Sequence, residues 1–167
     1  MSIIRQARAK EDLAEVRDLF GEYLVWNKGR MNEEFGIKID VETYLEDDMA
    51  KLDIFSPPDG RLLLAFEEAH AAGIACLKKL REDIGEIKRM YVRPQFRGKG
   101  LGRALLETII QEAKEVGYPV VRLDSARFMK EAHALYRSTG FSEIDPYPES
   151  EIPPEFQKHW VFMERQL

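Results

Sequence analysis

The sequence predicts an α/β fold with a mixed, mostly antiparallel sheet flanked by helices. Three observations carry this. Strand-like segments at residues 62–67, 72–80 and 84–92 follow one another across short connections, as an antiparallel meander does. A strand, an amphipathic helix and another strand come next, which is a β-α-β crossover. The chain has 167 residues, enough for one sizeable core and too few for two comfortable ones, so residues 1–167 are read as a single domain.

The elements follow in order. Ile3-Ile4-Arg5-Gln6-Ala7 reads as an opening strand. Asp12 is placed to cap a helix whose residues Leu13, Val16, Leu19, Phe20, Tyr23 and Leu24 keep the three-and-four spacing of one buried face. Asn27-Lys28-Gly29-Arg30 is expected to end it. A second helix is expected over residues 41–52, and Pro57-Pro58-Asp59-Gly60 makes a turn. After the meander, residues 101–115 form a long helix with Leu101, Leu105, Ile109 and Ala113 stacked on one side, widened by Leu106 and Ile110. Gly117 ends it, and residues 120–123 form the next strand. A helix over residues 129–139 stops at Gly140. Strands at residues 141–144 and 160–164 close the order β-α-α-β-β-β-α-β-α-β-β.

Composition excludes several classes. Hydrophobic residues at 44% and charged residues at 33% are a soluble globular mixture, not a disordered one. The longest apolar runs, residues 62–66 and 74–77, fall far short of a membrane span. No signal-like leader opens the chain at Met1-Ser2-Ile3-Ile4-Arg5. A lone cysteine, Cys76, leaves no internal disulfide and fits a reducing cytoplasm, the expected location. The net charge of −5 argues against a general nucleic-acid binder, which needs a basic face.

The segment Arg93-Pro94-Gln95-Phe96-Arg97-Gly98-Lys99-Gly100-Leu101-Gly102-Arg103 lies between a strand and an amphipathic helix. Its glycines allow a tight turn and close backbone approach to a ligand. The helix start leaves unpaired amides and a partial positive charge, suited to a pyrophosphate. Arg97, Lys99 and Arg103 add charge around it. A Walker loop needs Ser or Thr after Gly-Lys, but Gly100 follows Lys99. A dinucleotide fingerprint starting at Gly98 needs glycine where Arg103 stands. Both rivals fail.

Arg97-Gly98-Lys99-Gly100-Leu101-Gly102 resembles the Arg/Gln-x-x-Gly-x-Gly/Ala signature of the GNAT acetyltransferase superfamily. Glu86-Ile87-Lys88-Arg89-Met90-Tyr91-Val92 is similar to that family's fourth strand. Ala132-His133-Ala134-Leu135-Tyr136-Arg137-Ser138-Thr139-Gly140-Phe141 is similar to its Ala-x-x-Leu-Tyr-x-x-x-Gly-Phe segment. The resemblance implies acetyl-CoA as cosubstrate, an amine acceptor, no metal, and a GNAT-like sheet splayed beside a bulge in the fourth strand. It implies that Met90 and Val92 offer backbone groups to the pantetheine arm, and that the amides of residues 97–102 hold the pyrophosphate. The apolar pattern supports the bulge, since Ile87 falls on the odd face and Met90 and Val92 on the even one. One departure is Met129, where the family often carries an asparagine that contacts the pantetheine arm.

The chemistry implied is direct acetyl transfer to a primary amine, with a strand amide in the Met90-Tyr91 region donating to the acetyl oxygen. Tyr136 is the candidate general acid for the departing thiolate, against the alternative of an ordinary core tyrosine. Glu86 is the candidate base, directly or through water, against a solvated strand carboxylate paired with Lys88 or Arg89. Asp124 is a weaker substitute. His70, His133 and His159 lack metal-ligand spacing and read as surface or hydrogen-bonded structural residues. Cys76 reads as buried filling.

Tyr23, Trp26, Tyr44 and Trp160 could line an acceptor pocket with Glu42, Glu46, Asp47 and Asp48. The simpler account makes the aromatics core residues and the acidic run an exposed helix face. The acceptor stays open among amino acids, polyamines, aminated antibiotics and peptide N-termini. A non-catalytic CoA-binding or sensor domain is the alternative function, and a protein-interaction module a third. A C-terminal strand ending near Arg165 offers an edge for a homodimer.

Overall fold

A computed structural model describes residues 2–167. β1 (Ser2–Gln6), β2 (Arg61–Glu67), β3 (His70–Arg81), β4 (Ile84–Val92), β5 (Val120–Ala126), β6 (Ser142–Ile144) and β7 (Trp160–Gln166) form one sheet in the order β1-β2-β3-β4-β5-β7-β6. Every neighbouring pair is antiparallel except β4 and β5. The α/β class and the order of elements agree with the sequence expectation.

The sheet separates two apolar layers. α3 (Leu101–Val116) lies on one face, where Leu105, Leu106 and Ile109 are fully buried against β2, β3 and β5. Each such side chain contributes about 2 kcal/mol of transfer free energy. α1 (Leu13–Phe35) covers the other face through Val16, Leu19 and Phe20, which cluster with Leu64, Ile74 and Cys76, and α2 (Val41–Ala50) adds partly buried Leu45 and Met49. α4 (Lys130–Ser138) lies beside the α3 layer and puts Tyr136 into the same cluster.

The feature that makes a site is a gap between β4 and β5. These strands pair only from Ile84 opposite Val120 to Glu86 opposite Arg122. Beyond that point β4 bulges: Ile74 faces Tyr91 and Cys76 faces Lys88, so two residues, Arg89 and Met90, stand against one. Arg89 takes a left-handed φ of 53°, unusual for a non-glycine residue. The extra residue switches the pleat, and Met90 and Val92 join Ile87 on the α3 side. That is the phase change in the apolar pattern.

Several boundaries differ from expectation. α1 runs through the segment expected to end it and stops at Gly36, whose φ of 66° makes the left-handed cap. Buried Asn27 and Met31 keep that last stretch helical against the protein. Asp12 precedes α1 but does not cap it. Its carboxylate takes Arg5 at 2.7 and 3.0 Å and the Arg8 amide instead. α2 ends at Ala50, and Leu52–Phe55 is a separate 3₁₀ turn. β7 is not an edge strand. β5 pairs along one side and β6 along the other at Phe162–Glu164, so the exposed-edge argument for a homodimer loses its basis there.

Candidate active site

Two structures flank the parted strands. The first begins where β4 ends. Arg93 anchors the exit by donating to Glu22 and to the Ala71 carbonyl, at 2.8 and 2.7 Å. A single 3₁₀ turn, Pro94–Phe96, leads to Gly98 and Gly100, with φ of 80° and 81°. Those dihedrals cost a side-chain-bearing residue about 1 kcal/mol each. A Cβ at either glycine would meet nothing within 4 Å, so backbone conformation rather than crowding selects glycine, and the space above stays clear. The first amides of α3 have no carbonyl behind them and face that space. Arg97, Lys99 and Arg103 surround it. Arg97 Nε donates to the Val92 carbonyl at 2.8 Å, and its guanidinium lies 5.5 Å from the Tyr91 ring centre and 6.0 Å from that of Trp26. Arg103 reaches Ser138 at 3.0 Å. Clear space, the free amides of a helix start and three cations within seven residues of sequence suit a pyrophosphate.

The second structure is a cavity of about 750 Å³. Its walls come from α1, α2, the β4 bulge, the end of β5, α4 and the chain around residues 151–160. Met90 lines it at the bulge. Met90 lies in the bulge, outside the register of β4 with β3 and beyond its pairing with β5. The Val92 carbonyl, by contrast, already accepts from Arg97. Tyr136 reaches the cavity from α4 with 7% exposure. Burial, then the neighbouring Tyr23 and Asp124, pushes its phenol well above the ordinary value, so the hydroxyl keeps its proton at neutral pH.

Glu86 is elsewhere. It is 1% exposed, accepts from the Tyr147 hydroxyl at 2.6 Å and sits 3.8 Å from Lys78. It does not line the cavity, so the expectation of direct contact with an acceptor is revised: Tyr147 covers it. Burial raises its carboxyl above the usual range, with Lys88 opposing. The solvated-carboxylate alternative fails for the same reason.

The cavity wall instead carries a linked set of charges that the sequence reading did not assemble. Arg89 grips Asp48 of α2 with two bonds of 2.8 Å and reaches Glu151 at 3.0 Å. Lys88 contacts Glu151 at 2.8 Å and Asp124 at 3.1 Å. Burial alone would raise the Glu151 carboxyl, but Lys88 and Arg89 outweigh that and hold it well below the usual range. Glu151 carries no local signal in the sequence, because only the fold brings its proline-flanked loop to β4.

Of the suggested acceptor residues, Tyr23, Tyr44, Trp160, Asp47 and Asp48 line the cavity, whereas Trp26, Glu42 and Glu46 do not. Trp26 packs edge-on to Phe128, and Glu46 pairs with Arg17. The acidic run therefore divides between an exposed face and the cavity wall. His159 stacks on Phe35 at 4.2 Å, and His133 bonds Ser125 at 3.0 Å. Cys76 is fully buried, and burial pushes its thiol up, which makes it inert. Among the described residues no cluster of metal-ligating side chains occurs, and no helix is long and apolar enough to cross a membrane.

A parted sheet stands beside a glycine turn at a helix start and a cavity lined by both apolar and charged side chains. Residues 15–141 match the acetyltransferase (GNAT) family, and the chain belongs to it. An uncharacterized N-acetyltransferase of Schizosaccharomyces pombe is 32% identical over 90% of this chain and 88% of its own length. Human N-acetylaspartate synthetase is 32% identical over 65% of this chain, but that match spans only 37% of the human protein. Among solved structures, a GNAT acetyltransferase from Staphylococcus aureus superposes with a TM-score of 0.77 at 22% identity, covering 100% of this chain and 99% of that one. The PaiA N-acetyltransferase of Thermoplasma acidophilum, solved with coenzyme A, gives 0.76 at 22% identity over 100% and 99% of the two chains.

Proposed function

We propose that this acetyltransferase moves an acetyl group from acetyl-CoA directly to the primary amine of a small molecule. The observation that carries the reading is that Met90, at the β4 bulge, and Tyr136 line one cavity beside the glycine cradle. Acetyl-CoA, when bound, supplies the acetyl group as an activated thioester. The amides of residues 98–102, with Arg97, Lys99 and Arg103, hold a pyrophosphate by charge-assisted bonds. The Met90-Tyr91 backbone donates to the acyl oxygen as negative charge develops there. Tyr136 gives its proton to the departing sulfur, a role that its protonated state at neutral pH supports. Glu86 keeps only the water-mediated version of the base role, since Tyr147 stands over it.

The acceptor is small, since a space of about 750 Å³ is of the size that holds small ligands. An amino acid is favoured over a polyamine. Exposed Lys38, Lys51 and Lys158 on the cavity wall suit a carboxylate, and a relative is an N-acetylaspartate synthetase. The test follows thiol release from acetyl-CoA across amino acids, polyamines, aminoglycosides and short peptides. Turnover led by amino acids is expected. Binding of CoA with no turnover on any amine would support the non-catalytic sensor instead.

A further inference from the structure

We propose that Ser125 and His133 form a relay that carries the acceptor's ammonium proton out of the cavity to solvent. The proposal rests on the amine-transfer reading above. Ser125, near the end of β5, is buried and lines the cavity. Its Oγ lies 3.0 Å from Nε2 of His133 on α4. His133 is 4% exposed and also lines a second cavity of about 460 Å³ beyond α4. The pair therefore bridges the wall between the acceptor space and an outer cavity.

Such a path has work to do. An aliphatic amine is protonated near pH 7 and must lose a proton before it attacks a carbonyl. Of the five carboxylates lining the cavity, three are engaged by cations: Asp48 by Arg89, Asp124 by Lys88, Glu151 by both, while Asp47 and Glu155 lie on exposed parts of the wall. Glu151, held below the usual carboxylate range by Lys88 and Arg89, is a poor proton acceptor. Glu86, held under Tyr147, takes a proton only through water, and the relay is a second, direct route.

His133 differs from them. Burial, then Arg137, pushes its imidazole below the ordinary histidine value, so it is neutral near pH 7. A bond to the Ala126 backbone opposes that shift, and a ring that donates there through Nδ1 presents its Nε2 lone pair to Ser125. The groups facing it are Arg127, Lys130 and Arg137, with Glu143 of β6 the opposing anion and uncharged Val161 from β7. Met129 Sδ lies 3.3 Å from the same serine oxygen, but a thioether is a weak acceptor beside an imidazole nitrogen.

The step balances. The ammonium N–H bond breaks and its proton joins Ser125 Oγ as the serine's own proton passes to Nε2. The amine becomes neutral, the serine hydroxyl is restored, and His133 becomes imidazolium. Water in the outer cavity then takes that proton. Tyr136, three residues along α4, stands ready as donor to the departing sulfur, so one helix serves both proton movements.

Nitrogen NMR on the protein alone reads the tautomer of His133. A neutral ring with the proton on Nδ1 near pH 7 is expected, and a charged ring or a proton on Nε2 would overturn the relay. Kinetics form the second arm, on wild type, Ser125→Ala, Ser125→Thr and His133→Gln, with thermal unfolding of each. Alanine and glutamine should lower kcat/KM about 10²-fold near pH 7. The loss should shrink to a few-fold near pH 10, where the free amine predominates. Threonine, which keeps the hydroxyl, should restore most of the rate. No loss, an equal loss at both pH values, or failure of threonine to rescue in a folded protein would mark the pair as a structural tie and overturn the relay. If wild type acetylates no amine, the acetyltransferase reading fails, while the tautomer still decides whether Ser125 and His133 have the required geometry.

Discussion

The phosphate cradle and the acceptor cavity adjoin the same strand, β4, and are built in opposite ways. The cradle is one continuous stretch, residues 93–103, acting mainly through backbone amides and two left-handed glycines. The cavity draws on six segments and acts through side chains, with Arg89 spanning 41 residues to Asp48 and 62 to Glu151. Backbone chemistry asks for residue types that permit a conformation. Side-chain chemistry asks for a fold that brings distant groups together. The cradle is thus suited to a constant ligand, whereas the cavity is free to differ wherever a distant loop changes.

If the two regions work separately, substitutions should separate them too. Tyr136→Phe should lower kcat about 10²-fold and leave CoA affinity unchanged, by steady-state kinetics and calorimetry. Loss of CoA binding in that variant would break the division. Arg89→Ala leaves Asp48 without its cation and Glu151 with Lys88 alone, so it should cost about 3 kcal/mol in unfolding measurements. Acceptor KM should rise about tenfold in the same variant, a loss of about one charge-assisted bond. Arg97→Ala should weaken CoA binding about tenfold with acceptor KM little changed.

The smallest effect concerns acid stability. Glu151 is held below its unfolded value by Lys88 and Arg89 against the opposing effect of burial. Its contribution is whole above the ordinary carboxylate range and lost as pH falls below that range. Glu151→Gln should flatten this acid limb in pH-dependent melting, by well under about 1 kcal/mol because the side chain is half exposed.

The same contrast explains what was legible in the sequence. Hydrophobic spacing placed α3 and the three-strand meander, because their buried faces are written at short range. The bulge showed in the shift from Ile87 to Met90 and Val92, since each pleat step leaves a mark in an apolar strand. The end of α1 was misplaced because Gly29 looks like a stop when the buried Asn27 and Met31 beside it are unseen. Glu86 looked available on an alternating strand, and only Tyr147, 61 residues away, shows that it is covered. Lys88, Arg89 and Glu151 gave no local signal as a set.

Calorimetric titration of CoA into wild type and Gly100→Glu tests the central claim most directly. A glutamate there would strain a φ of 81° and place a carboxylate in the space proposed for the phosphates. Saturable micromolar binding by wild type, absent from a folded Gly100→Glu, is the predicted result. No binding by folded wild type, or equal binding by both proteins, would contradict it.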